Sequence, residues 1–75
     1  MAENVRKRWC EVLETSQAAP DDDFFHSGGT SLLAARLTSV LREDLGVAIP
    51  ITVLFDLPVL EEYAAEVSNL ARATS

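Results

Sequence analysis

A chain of 75 residues with 48% hydrophobic side chains has room for one small core and is too apolar for an intrinsically disordered segment. Twelve acidic side chains against six basic ones give a formal charge of −6, which repels a nucleic-acid backbone over most of the surface. The single cysteine, Cys10, supplies neither an internal bridge nor a thiolate pair for zinc, and no apolar run approaches the roughly 20 residues that span a bilayer. These features predict one domain over residues 1–75, with its core between about 5 and 70, folding in the cytoplasm without metal or disulfide.

Val5, Trp9, Val12, Leu13 and Ser16 recur at helical spacing and predict an amphipathic first helix from about 3 to 16. Trp9 shares that stripe and reads as core. Arg6, Lys7 and Arg8 are too few for a nucleic-acid site and read as a solvated face with Glu11 and Glu14. From Gln17 to Thr30 the chain carries Pro20, three aspartates and two glycines, the composition of a long loop. A loop beyond about 12 residues in so small a domain is functional or tied down by its own side chains; Phe24 and Phe25 are the natural pins. Asp21, Asp22 and Asp23 lack the further oxygen ligands of a calcium loop, with Phe25 standing where one belongs, and read as a solvated acidic turn. His26 reads as an exposed loop histidine.

A second helix is predicted from Ser31 to about Leu45, with Leu33, Leu37, Val40, Leu41 and Leu45 on one face and Gly46 as its stop. Pro50 is placed to open a short helical turn through Val53, Leu54 and Phe55 before Asp56. Pro58 is expected in the first turn of a last helix whose inward stripe is Leu60, Tyr63, Ala64, Val67 and Ala71. No segment alternates as a strand does. The predicted fold is all-α, a small four-helix bundle of three longer helices and one short third helix.

The residue to explain is Ser31. Gly28 and Gly29 permit positive φ and a close approach by another molecule. They lift a hydroxyl to a helix start, where backbone N–H groups without partners hold an anion such as a phosphate. A nucleotide-cradling loop needs a Gly-Lys-Ser or Gly-Lys-Thr ending and a preceding strand, and neither is present. A hydrolase elbow needs a second glycine where Leu33 stands and a histidine after the serine. A plain helix cap is the bland alternative for Ser31, and Thr30 fills that role as well. Taken with the loop and its glycines, the pattern favours a serine that anchors a phosphorylated group, with no oriented base for chemistry of its own.

The string Asp23-Phe24-Phe25-x-x-Gly28-Gly29-x-Ser31-Leu32 resembles the signature of peptidyl carrier (thiolation) domains of nonribosomal peptide synthetases. The resemblance continues through Leu33-Ala34-Ala35-Arg36-Leu37 and through Ile51 to Val59, and covers roughly residues 5 to 70. It implies an acyl-carrier-like bundle in which Ser31 carries phosphopantetheine through a phosphodiester, its terminal thiol holding an aminoacyl or peptidyl group as a thioester. It implies a carrier rather than an enzyme, and a phosphopantetheinyl transferase that supplies magnesium and a base. Further implied partners are an adenylation enzyme or domain and condensation, tailoring or thioesterase enzymes. Nucleic acid and membrane are not among them, and a monomer is expected. By the same analogy Thr30, Leu32, Leu33, Val53 and Leu54 are candidates for a docking surface, while Phe24, Phe25, Gly28 and Gly29 shape the loop.

Two departures bear on partners. Thr30 stands where many relatives have His or Asp, and Ser27 where Leu is common; with Met1 and the short length, they suggest a free-standing carrier that loads one amino acid. The nearest competitor is an acyl carrier of polyketide or fatty-acid synthesis, which typically places acids soon after the serine. Here Leu-Leu-Ala-Ala-Arg follows and no carboxylate occurs before Glu43, which favours the aminoacyl class. A competitor of another class, an unmodified helical interaction domain, leaves the glycine-serine loop without a purpose.

Overall fold

The computed structural model describes residues 2 to 74 and places four helices in chain order: α1 Ala2–Leu13, α2 Ser31–Leu45, α3 Thr52–Asp56 and α4 Leu60–Thr74. This is the predicted bundle of three longer helices and one short one. Val5 and Trp9 of α1, Leu37 and Leu41 of α2, Leu54 of α3, and Tyr63 and Val67 of α4 meet in one core with Phe24 of the long loop, each fully buried. Among the described residues, extended pairing is confined to one antiparallel bridge between Asp23 and Val59.

The first helix stops three residues short of the predicted end. Glu14 adopts a left-handed conformation, φ 55°; its N–H reaches the Glu11 carbonyl at 3.3 Å and the next N–H, of Thr15, reaches the Cys10 carbonyl at 3.0 Å. That pair of bonds is the Schellman arrangement, which closes a helix by satisfying its last carbonyls. Ser16 therefore lies outside α1 and is exposed. A β-carbon in the left-handed region costs about 1 kcal/mol, so Glu14→Gly is expected to stabilise the domain by about that amount, read as a higher urea midpoint with an unchanged slope.

In α2 the buried positions are Ala34, Leu37, Thr38 and Leu41, not the all-aliphatic stripe expected from sequence. Val40 is only half-buried, as are Leu33 and Leu45, both packed at the edge of the core. Thr38 is tolerated inside because its hydroxyl donates to the Ala34 carbonyl at 2.9 Å, so little is left unsatisfied. Gly46 closes the helix in the left-handed conformation, its N–H returning to the Arg42 carbonyl. Val47 and Ile49 then run through the connection to α3 as buried core residues. Inside the bundle, burial pushes the Tyr63 phenol above its ordinary range, opposed by the neighbouring Thr38 hydroxyl.

Pro58 lies ahead of α4 rather than in its first turn, because its carbonyl is taken by the Phe24 N–H at 2.8 Å. The loop in return caps α4: the N–H groups of Leu60 and Glu61 donate to the carbonyls of Asp22 and Pro20, both at 2.9 Å. The acidic turn is therefore more than a solvated one. Asp22 accepts from the Ala19 N–H, and the Asp23 carboxylate accepts from the N–H groups of Phe25 and His26 at 2.9 and 3.1 Å, an Asx turn that aims the two phenylalanines.

Arg8 does not stay on its own helix face. It pairs with Glu11 at 2.8 Å and reaches across to Asp44 of α2 at 2.6 Å. The Arg8 hydrogen bond, aided by Asn4 and the nearby charges of Arg8 and Lys7 and opposed by desolvation, holds the Asp44 carboxyl below its ordinary value of 3.8. A depressed native pKa stabilises the fold at pH above the ordinary carboxylate value and loses that contribution as pH falls through the lower native one. The stability gap between parent and Asp44→Asn is therefore expected to be constant near neutrality and to close below pH 3.8, measured as urea midpoints across an acid series.

Candidate functional site

The loop before α2 is built from the core outward by aromatic rings. Trp9 meets Phe24 edge-on with centroids 5.1 Å apart, Phe24 meets Phe25 edge-on at 5.3 Å, and Phe25 stacks on Phe55 of α3 at 5.6 Å with planes 7° apart. Phe24 is fully buried and Phe25 half-buried, so the chain arrives at the bundle surface on a rigid path.

The two glycines that follow have different duties. Gly28 has φ 103°, a backbone state that L side chains rarely adopt. Gly29 is a matter of space: a β-carbon there would lie 2.3 Å from Phe24 Cδ2 and 2.6 Å from the Phe24 carbonyl oxygen. That same carbonyl accepts the Gly29 N–H at 2.9 Å, so the backbone is clamped against the Phe24 ring.

Thr30 is the N-cap of α2. Its extended backbone and its side-chain oxygen, which accepts the Leu33 N–H at 3.2 Å, fill the position that the bland reading of Ser31 required. Ser31 is then the first helical residue, exposed, and among the described residues its hydroxyl makes no hydrogen bond. The first turn of α2 carries no acidic residue, and N–H groups there precede the intrahelical ladder. The surroundings suit a phosphodiester: positive end of a helix dipole, no competing carboxylate, free approach from solvent.

Among the described residues, no side chain makes a hydrogen bond to the Ser31 hydroxyl. His26 is exposed, and its backbone N–H, not its ring, donates to the Asp23 carboxylate. Among the described residues no group of His, Cys, Asp or Glu is placed to hold a metal ion, and none of the helices is long and apolar enough to cross a membrane. A groove of about 270 Å³ is lined by Glu3, Arg6, Pro20, Leu60, Glu61 and Ala64, a set that does not include Ser31.

The structure separates the docking candidates. Leu32 is 71% exposed, whereas Leu54 is 0% exposed and belongs to the core; the short helix turns that leucine inward, so it offers no side chain to a partner. Leu33 and Val53 are half-buried against the core, and the Thr30 side chain is spent on the cap. Sequence reasoning missed Phe55 and Ile51, which are 43% and 37% exposed. The available signal was α3 itself, since a helix of five residues that buries Leu54 leaves the adjacent Phe55 facing outward.

Residues 3–67 match the family described as "Phosphopantetheine attachment site", and the chain belongs to that family as a carrier domain of the nonribosomal-peptide-synthetase type. Among similar proteins, phosphinothricin tripeptide synthetase PhsB of Streptomyces viridochromogenes is 41% identical over 66 residues, covering 88% of this chain and 6% of that protein. L-2-aminoadipate reductase large subunit of Eremothecium gossypii is 36% identical over 72 residues, covering 93% and 5%. The chain thus spans about one-twentieth of the length of these relatives. A peptidyl carrier protein solved in complex with the phosphopantetheine transferase Sfp and coenzyme A superposes with a TM-score of 0.84 at 28% identity, covering 91% of this chain and 88% of that one. Phosphopantetheine is accordingly the cofactor of this carrier.

Proposed function

We propose that Ser31 is the attachment point of the phosphopantetheine arm, and that the domain presents aminoacyl or peptidyl intermediates to partner enzymes of a cytoplasmic nonribosomal-peptide-type pathway. The observation that carries this reading is the division of labour at the start of α2, where Thr30 caps the helix and leaves the Ser31 hydroxyl exposed and, among the described residues, without a hydrogen bond.

In the attachment step the Ser31 oxygen forms a bond to the β-phosphorus of coenzyme A and the pyrophosphate P–O bond breaks. Adenosine 3′,5′-bisphosphate leaves, and the serine proton passes to a base in the transferase. The arm, when attached, supplies a terminal thiol that holds cargo as a thioester. The chain's own part is to hold one hydroxyl in place, to surround the phosphodiester with helix N–H groups and to keep carboxylates away from it. It contributes no general base, and its partners are a transferase, an adenylating enzyme, and condensation, tailoring or thioesterase enzymes. Delivery by a tether raises the effective concentration of cargo at each of them.

The test is intact mass after incubation with coenzyme A, magnesium and Sfp. The expected result is gain of one phosphopantetheinyl group; a folded parent that gains none, while a control carrier does, contradicts the reading.

A further inference from the structure

The groove of about 270 Å³ opens where the first turns of α1 and α4 meet the long loop. Leu60 and Ala64, 3% and 7% exposed, form its floor, and Pro20 lines one side. That side is fixed, because the Pro20 carbonyl accepts the Glu61 N–H at 2.9 Å. Glu3, Arg6 and Glu61 stand at the rim, all three exposed. Among the described residues their side chains have no hydrogen-bond or ion-pair partner. Arg8, further along the same helix, is by contrast held by Glu11 and Asp44. The fold thus places its cross-helix ion pair elsewhere and leaves three charges around an apolar floor.

The groove belongs to the end of the bundle away from the serine. Asn4, which lies between Glu3 and Arg6 in α1, donates to Asp44 at 3.4 Å, and Asp44 is about 20 Å from Ser31 along the axis of α2. Size limits what the groove can hold. Pockets that enclose a whole small-molecule ligand run from roughly 300 to 1,000 Å³, so this one suits a single bulky side chain. Charge selects among such occupants. Two carboxylates against one guanidinium, on a protein whose net charge is −6, attract a cationic segment and repel an acidic one, a second copy of this chain included.

We propose that this groove docks a linear segment of a partner protein through one bulky apolar side chain flanked by lysine or arginine. The apolar anchor rests on Leu60 and Ala64, the basic groups face Glu3 and Glu61, and Arg6 faces a backbone carbonyl of the segment. The inference goes beyond the carrier reading, since the contact needs no arm. A groove whose loop side is already tied to α4 requires little ordering on binding, and the rim charges set partner choice and encounter rate. The consequence is a holding contact: the segment stays on the domain while Ser31, at the other end of α2, remains open to other enzymes.

The test follows the amide resonances of the isotope-labelled domain at low salt during titration with synthetic peptides of common Gly-Ser flanks, centred on Lys-Leu-Lys, Lys-Phe-Lys, Lys-Gly-Lys or Glu-Leu-Glu. At least one of the first two is expected to give saturable shifts centred on Glu3, Arg6, Leu60, Glu61 and Ala64, with Ser31 unmoved; the last two are expected to give none. Glu61→Lys is expected to weaken binding by about tenfold, added salt narrowing the difference, while Glu43→Lys, an equal charge change outside the groove, stays within about twofold. Thermal midpoints establish that both variants are folded. No saturable shift from either apolar-basic peptide, equal binding of the glycine-centred or acidic peptide, shifts centred elsewhere, or equal losses in the two variants overturn the proposal. Shifts at the groove on concentrating the domain alone identify a second copy as its occupant and overturn it too. All of these leave the carrier reading intact, which falls only if the parent accepts no arm.

Discussion

Gly29→Ala is expected to be among the most damaging single substitutions in this domain, costing about 3 kcal/mol. The added β-carbon would lie 2.3 Å from a ring carbon of Phe24 and 2.6 Å from its backbone oxygen, and neither can retreat. The ring is fully buried and held edge-on by Trp9 at 5.1 Å. The oxygen belongs to a segment fixed by the Phe24 bond to Pro58. A domain of this size has a total stability of roughly 4–11 kcal/mol, so the loss should lower the thermal midpoint by roughly 12–24 °C. Gly28→Ala separates space from backbone strain. Its β-carbon meets nothing within 4 Å, but φ is 103°, and the expected cost is smaller, about 1–2 kcal/mol. Thermal and urea unfolding of the two variants decides the matter; a Gly28 effect equal to or larger than the Gly29 effect would remove the close-contact explanation.

The second large effect is a dissociation between neighbours. Ser31→Ala is expected to abolish arm attachment outright while changing stability by no more than about 0.5 kcal/mol, since among the described residues the exposed hydroxyl has no hydrogen-bond partner. Thr30→Ala should do the reverse. It removes the bond to the Leu33 N–H and costs about 1 kcal/mol, yet the arm should still attach. Urea midpoints and intact masses of the two variants together make the comparison. If Ser31→Ala were the destabilising member, Ser31 would be the cap and the division of roles proposed for these two residues would be wrong.

Much of the architecture was legible because it follows from patterns a sequence displays directly. The stripe of Leu60, Tyr63, Ala64 and Val67 is buried as expected, and Gly46 ends α2 as its position predicts. The departures have two causes: a partner distant in sequence in one case, and in the others local hydrogen bonds and backbone states that spacing alone does not reveal. Pro58 suits a first helical turn locally, but its carbonyl is taken by Phe24 from the long loop. Val40 satisfies helical spacing, yet Thr38 takes the interior place because its own hydroxyl can be satisfied within the helix. The end of α1 turned on Glu14 adopting a conformation that composition assigns to glycine. Around the serine, the glycine-serine string was readable as a unit. The roles within it were not, because whether Thr30 or Ser31 caps the helix depends on one backbone bond. For the same reason the exposed apolar surface moved from Leu54 to Phe55 and Ile51, since the direction in which a five-residue helix faces is decided by packing.

The central claim is that one hydroxyl, that of Ser31, carries the arm. The most direct measurement is tandem mass spectrometry of the proteolysed, arm-bearing protein, which locates the added group within the peptide containing Ser27, Thr30, Ser31, Thr38 and Ser39. The account predicts fragment ions that place the whole increment on Ser31, with none on the other four hydroxyls. An increment on any of those residues, or on a peptide elsewhere in the chain, would contradict it.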